Sequence, residues 1–398
     1  MKSERQINDI EQLLKSQLEE DEKIADVEVS RLTAPGENYG SIMLRILVTL
    51  ENTKTSKKRT LDAVGKIIPE SERVREAFST QTTFTLEYNF YAVVSSVLDQ
   101  FLKRNNVKSG ADFLAPFVGG RLNLNEGPIV DNDAIIVLRN LRVSGYSTGE
   151  KTTGLDLDHS KVVLDTLAKF HATVLGLKIK EPEKFDKYIR PCFFRYYVDK
   201  DLHTVVKTNL SHYLKLNGFT DEEVKKADNT FVDFHQNEVN DVWGTLIHYD
   251  SWTNNLLIKK ENDKPTHCVL VDFQVPDYGT PLDDISFFLF TSVQNLFDGS
   301  TFDDLLDYYY DKLLKNLRNI GVETTVFTRD SFDEEVGKAI KNYQYYHTMW
   351  MLHPLMYEHM KSIDDLDKND AEDIVEWSKK HIKRIVDITK LCLERNYI

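Results

Sequence analysis

The sequence predicts an α+β fold in two parts, a small antiparallel sheet followed by a larger, mainly helical region. Three observations carry this. Apolar residues near the N-terminus alternate with polar ones, as at Val27 and Val29, which is the period of a strand. Two partly β-branched runs, Ser41 to Leu50 and Thr60 to Ile68, flank a polar tract from Glu51 to Arg59 that reads as a hairpin turn. Beyond the glycine-containing segment from Arg142 to Gly154, apolar residues recur at helical spacing.

Taken in order, Ile7, Ile10, Leu13, Leu14 and Leu18 predict an opening amphipathic helix, and three strands follow. A helix is expected from about Phe78 to Leu102, its buried face marked by Phe84, Tyr88, Tyr91 and Leu98. Glu87 falls on that same inward stripe, three residues after Phe84. An inward glutamate calls for a cationic partner, because burying it alone is costly. Pro116 to Pro128 reads as a Gly/Pro/Asn-rich stretch and Ala134 to Leu138 as a further strand. Val162, Leu164, Leu167, Phe170 and Val174 predict one later helix. Others are expected over Phe231 to Trp243, Phe302 to Leu317, Tyr343 to Met360 and Ile374 to Leu393. The domain division that follows is residues 1–140 and 141–398, with a hinge at about 138–142.

The composition excludes several classes. Fifty Lys and Arg against 64 Asp and Glu leave a net charge of −14, a field that repels nucleic-acid backbones and anionic membranes. Three scattered cysteines, Cys192, Cys268 and Cys392, form no C-x-x-C pair and suit a reducing compartment. The N-terminal residues contain no apolar signal region, and the longest nearly apolar run, Ile285 to Val293, is too short to span a bilayer. A soluble cytoplasmic protein is expected, with the sequon at Asn209 unglycosylated.

The chemistry-bearing pattern is His248-Tyr-Asp-Ser-Trp-Thr-Asn-Asn255, a polar turn between two apolar runs. It is followed by Cys268-Val-Leu-Val-Asp-Phe273, which presents Asp272 at a strand end. Asp250, Asn255 and Asp272 would supply hard oxygen ligands, one an amide, that suit Mg²⁺ better than zinc. Lys66, on a strand between Val64 and Ile68, is placed to pair with Glu87. Taken singly, each has an ordinary explanation: a strand lysine is commonly a solvated edge, a helix glutamate a half-exposed residue. Together, five residues in this order fit phosphoryl transfer, which needs a carboxylate at the accepting hydroxyl, oxygen ligands for magnesium, and an acid-held lysine on the phosphates. His248 then braces the loop, and Trp252 is read as loop packing.

Two other motifs are set aside. Gly145-Tyr-Ser-Thr-Gly149 matches G-x-S-x-G, but Glu150 to Gly154 is a poor helix start, and a nucleophile elbow needs strand, turn and helix in succession. No G-x-G-x-x-G or Walker A sequence occurs, and the glycines alone do not identify Pro35 to Ser41 as a phosphate-covering loop.

With Leu270-Val-Asp-Phe-Gln274 and Asp277-Tyr-Gly-Thr-Pro-Leu-Asp-Asp-Ile-Ser-Phe-Phe-Leu-Phe290, the His248–Asn255 motif resembles the insect ecdysteroid-kinase-like proteins. Those belong with the choline kinase-like and aminoglycoside phosphotransferase superfamily. Pro35-Gly-Glu-Asn-Tyr-Gly-Ser41, Lys66-Ile-Ile-Pro69, Phe84-Thr-Leu-Glu87, Val137-Leu-Arg-Asn-Leu141 and Leu167-Ala-Lys-Phe-His-Ala172 extend the likeness over nearly the whole chain. The resemblance implies a two-lobed protein-kinase-like fold binding ATP and Mg²⁺. Asp250 would be the catalytic aspartate, Asn255 and Asp272 the magnesium ligands, and Lys66 with Glu87 the phosphate-holding pair. The backbone from Arg139 to Leu141 would meet adenine, and Asp284 would anchor the catalytic loop. The acceptor implied is the hydroxyl of a small lipophilic molecule, an ecdysteroid-like steroid or a plant-derived toxin.

The chain departs from the family pattern in two places. Tyr249 replaces the usual glycine of the loop, and Arg139-Asn140-Leu141 replaces Glu-Asp-Leu. The first leaves open an alternative, a pseudokinase that binds a ligand without turnover. A protein kinase is disfavoured, since no Ala-Pro-Glu follows Asp272 and Phe-Gln stands where Phe-Gly would.

Overall fold

The fold is taken from a computed structural model, which describes residues 7–32, 40–125, 127–150, 152–194, 200–231, 239–353 and 376–398, with the backbone alone at 200–203. The loop at Pro35, Tyr196 and Tyr197, most of the expected Phe231–Trp243 helix, the end of the Tyr343–Met360 helix and the start of the Ile374–Leu393 helix lie outside those residues. The described residues form two compact units. One comprises those within Met1–Val97, Leu114–Ser147 and Val271–Gln274, and the other those within Leu98–Phe113, Thr148–Leu270 and Val275–Ile398.

The first unit is built on five antiparallel strands: β1 Glu22–Arg31, β2 Ile42–Asn52, β3 Lys58–Ile67, β4 Phe117–Arg121 and β5 Ile135–Arg139, in spatial order β1-β2-β3-β5-β4. Alternation decides what is buried. Leu44, Ile46, Val48 and Leu50 of β2 face the same core as Leu61, Ala63 and Ile67 of β3, with Ile135 and Val137 of β5. Leu13 and Leu14 close that face. The opening helix is shorter than the periodicity predicts, Ile10–Leu13 followed by a 3₁₀ turn at Lys15–Gln17, so its apolar spacing reports packing more than helix length. The hairpin turn is also tighter than its polar tract. Glu51 pairs with Lys58, and Asn52 Oδ1 closes the turn by accepting from the Lys54 and Thr55 amides.

The helix expected from Phe78 to Leu102 runs as Thr80–Asn89, a π-turn at Phe90–Val94 and Ser95–Arg104. Phe84, Tyr91 and Leu98 are buried as the stripe predicts, while Tyr88 is half-buried. β4 has no sequence counterpart in the strand reading, because Val118 is followed by two glycines that carry no periodicity.

The second unit is mainly helical. Its longest helix, Leu157–Lys180, buries Val163, Leu164, Leu167, Phe170 and Val174. Pro281–Ser292, Thr301–Asn319, Arg329–Ala339, Tyr345–Met351 and Lys379–Glu394 are further helices. Lys200–Leu216 and Asp221–Asp228 were not anticipated, although Thr220 and Glu223 form the capping box that announces the second of them. Leu256–Glu261 and Lys264–Leu270 form an antiparallel hairpin. The α+β class, with its antiparallel sheet early and its helices late, is the one the chain adopts. No helix among the described residues is long and apolar enough to cross a membrane. Asn209 of the sequon is fully buried, and the three cysteines are buried and unpaired. Gly145–Gly149 makes no elbow: Ser147 lies exposed in the short strand Tyr146–Thr148, and the next helix begins only at Leu157.

Candidate active site

The first unit gathers three of the expected residues. Strand alternation puts Lys66 on the face of β3 opposite Leu61, Ala63 and Ile67, away from the apolar core. It is nevertheless only 7% exposed. Its Nζ donates to Glu87 Oε2 at 2.6 Å and to Asp272 Oδ1 at 2.7 Å. Glu87 is buried because it shares the helical stripe of Phe84. Asp272 lies beyond the end of the Lys264–Leu270 strand, with a left-handed φ of 70°. The neighbouring Phe273 ring stacks on Phe90 at 3.7 Å and meets Tyr91 edge-on at 6.2 Å. Both partners open the π-turn, so that turn clamps the residue beside Asp272.

The electrostatics follow from two carboxylates sharing one ammonium. Burial pulls Lys66 down, but the charges of Asp272 and Glu87 outweigh it and hold the amine above its ordinary value. Burial pushes Glu87 up; Lys66 opposes this and the Asp272 charge adds to it. With all three ionised the cluster carries a surplus of negative charge.

The second unit holds the loop. Asn255 Nδ2 donates to both the Asp250 carbonyl and its Oδ2, at 2.9 and 2.8 Å, which leaves the amide oxygen of Asn255 as a hard donor atom. His248 is fully buried, and its Nδ1 accepts from the Asp250 amide at 3.3 Å, so this histidine braces the loop. Trp252 is 6% exposed and packs the loop as expected. Beneath the loop lies Asp284, completely buried, whose carboxylate accepts from the His248 amide at 2.7 Å and the Tyr249 amide at 2.8 Å. Burial alone would raise Asp284, but the hydrogen bonds and charge of His171 and the facing His248 hold it below the usual carboxylate range.

Two residues of this network were not assigned from sequence. His171 Nε2 sits 3.0 Å from Asp284 Oδ2, and its Nδ1 lies 2.8 Å from the Tyr309 hydroxyl. The chain Tyr309–His171–Asp284 thus reaches the backbone of the loop that carries Asp250. The signal for His171 was present in Ala-Lys-Phe-His, on the buried face of the Leu157–Lys180 helix. Tyr309 was indistinguishable from other core aromatics.

Tyr249 occupies a left-handed backbone position, φ 68°, which explains why glycine suits this place in the loop. Its ring packs against both Tyr343 and His347, at 5.2 Å from each, and those two rings lie 5.0 Å apart. His347 in turn stacks on Phe287 at 4.2 Å. Left-handed backbone costs about 1–2 kcal/mol for a side-chain-bearing residue, and each ring pair returns about 0.5–1.5 kcal/mol. The two effects are of similar size. Because the ring is taken up by Tyr343 and His347, Tyr249→Gly is expected to change kcat/KM for a good acceptor by less than about tenfold. A much larger gain, measured by steady-state kinetics, would show that the tyrosine suppresses turnover.

The remaining expected residues lie at the end of β5. Arg139 pairs with Ala63 in the sheet and its guanidinium reaches Gln17 Oε1 at 3.2 Å. Leu141 opens a 3₁₀ turn, Leu141–Ser144, capped by the Asn140 side chain. Among the described residues no group of three or more His, Cys, Asp and Glu could hold a metal ion alone. Asn255 and Asp272 each carry a hard side-chain oxygen, the donor type that Mg²⁺ prefers.

The first unit thus holds a paired lysine and glutamate with a strand-end aspartate, and the second an Asp–Asn loop braced from below, in a chain whose family is one of kinase-like small-molecule phosphotransferases. Residues 35–322 match the ecdysteroid kinase-like family, and the chain belongs to it. No curated protein matches it significantly. Among solved structures it is similar to an amicoumacin kinase bound to AMP-PNP, Ca²⁺ and Ami (11% identity, 92% of this chain and 88% of that one, TM-score 0.45). It is also similar to a choline kinase from Cryptosporidium parvum Iowa II (10%, 94% and 91%, TM-score 0.43). A choline/ethanolamine kinase family protein from Mesorhizobium loti matches at 12% identity, over 93% and 90%, with a TM-score of 0.39.

Proposed function

We propose that the protein is an ATP-dependent kinase that phosphorylates a hydroxyl of a small lipophilic acceptor, an ecdysteroid-like steroid or a xenobiotic. The observation that carries this reading is the buried Lys66, held at 2.6 Å by Glu87 and at 2.7 Å by Asp272. A lysine so oriented has its charge maintained and its position fixed, which is what binding the phosphates requires. In this reading Arg139 to Leu141 meets the adenine through backbone groups. Asp250, its Oδ2 held by Asn255, receives the proton of the acceptor hydroxyl. Asn255 and Asp272 are the residues that would hold Mg²⁺, which would supply positive charge to the phosphate oxygens.

The test is ADP release with Mg·ATP and a panel of hydroxylated steroids and plant-derived alcohols. Acceptor-dependent ADP release above the ATPase background supports the reading. Binding of ATP with no turnover on any acceptor favours the pseudokinase instead, and failure to bind nucleotide rejects both.

A further inference from the structure

The end of β5 is fastened to β3 by a side-chain contact as well as by the strand ladder. Asn140 is 5% exposed. Its Nδ2 donates to Asp62 Oδ1 at 2.8 Å, its backbone amide donates to the Asp62 carbonyl at 3.1 Å, and its Oδ1 accepts from the Arg142 amide at 3.1 Å. Asp62 also receives Arg45, whose Nη2 lies 2.5 Å from Oδ2. The Arg45 hydrogen bond, helped by that of Asn140, holds the Asp62 carboxyl below its ordinary value although partial burial works the other way. Asp62 is therefore a charged acceptor at neutral pH.

Position 140 consequently requires a donor. An aspartate there would set a second carboxylate against Asp62 at the same short distance, and like charges in contact repel. Asp62 and Lys66 lie on the same face of β3, four residues apart, or about 13 Å along the strand. The strand that carries Lys66 thus also grips the segment Arg139–Leu141.

We propose that Asp62 and Asn140 form a positioning pair for the nucleotide, in which the amide at 140 fixes the Arg139–Leu141 segment to the strand bearing Lys66. This rests on the reading of the chain as an ATP-dependent kinase. Neither residue touches the reacting atoms. Their effect is on the distance between the two places where the nucleotide is held, and so falls on its affinity.

Asn140→Asp tests the pair cleanly, because aspartate caps the Leu141–Ser144 turn as well as asparagine does. Measured by calorimetry with Mg·ATP and Mg·ADP at pH 8, this variant is expected to bind about tenfold more weakly than the wild type. Its affinity should recover toward pH 5 as one of the facing carboxylates takes up a proton. Asp62→Asn/Asn140→Asp restores a donor–acceptor pair in the opposite sense and should bind within about threefold of the wild type. A purely structural contact would lower the melting temperature but move neither the pH dependence nor the rescue. Wild-type affinity in Asn140→Asp, or a double variant no better than the single one, overturns the pair while leaving the kinase reading intact. Absence of nucleotide binding in the wild type overturns the kinase reading and the positioning role with it.

Discussion

Asp272→Asn is expected to lower kcat at least ~100-fold at saturating ATP and acceptor, since the charge that would hold magnesium on the transferring phosphoryl is removed. The rate of ADP release checks this, and release near the wild-type rate would take Asp272 out of the chemistry. A second readout does not depend on turnover. Asp272 now shares Lys66 with Glu87, at 2.7 and 2.6 Å, and its charge helps to hold the Glu87 carboxyl up. Removing that charge should bring Glu87 down toward its ordinary value, observable by NMR titration. Asparagine is nearly isosteric, so the fold of the first unit should survive.

The largest effect on stability is expected at Asp284. Asp284→Ala leaves the amides of His248 and Tyr249 and the ring of His171 without their buried acceptor. Breaking a buried charged network of this kind costs about 3–5 kcal/mol, to be measured by denaturant unfolding. A cost below ~1 kcal/mol would mean that the loop is held by other contacts. Asp284→Asn keeps the shape and should cost less. The wild type carries a pH signature as well. A carboxyl held below its ordinary value stabilises the fold above the unfolded pKa of about 3.9 and loses that contribution as pH falls through the folded value. The acid limb of the stability profile should therefore flatten in Asp284→Asn.

Much of this was legible in the sequence because it obeyed simple periods. Strand alternation placed Lys66 off the core, helical spacing placed Glu87 inward, and the pair meets at 2.6 Å. His248, Asp250 and Asn255 are held together by a short polar turn whose geometry is local. What escaped was non-local or lacked a period. β4 has glycines where side chains would alternate. Tyr309 meets His171 across 138 residues, and nothing in either helix announces the other. The consequence of Tyr249 also had to be seen. The ring's partners, Tyr343 and His347, come from a distant helical segment. The tie between Asn140 and Asp62, through the Asn140 side chain and its backbone amide, joins two strands and has no local signal either.

The membership of Val271–Gln274 in the first unit bears on how that unit is made. Everything else it contains is synthesised by Ser147, but Asp272 and Phe273 emerge more than a hundred residues later. At ~5–20 residues per second, translation leaves the nascent sheet waiting on the order of ten seconds for its last four residues. During that interval Lys66 has Glu87 alone, and Phe90 and Tyr91 have no Phe273 to close over. A ribosome-bound chain ending shortly after the first unit's sheet should consequently show faster amide exchange in the π-turn at Phe90–Val94 than the full-length protein, while β2 and β3, whose partners are already present, exchange as slowly as in the finished molecule.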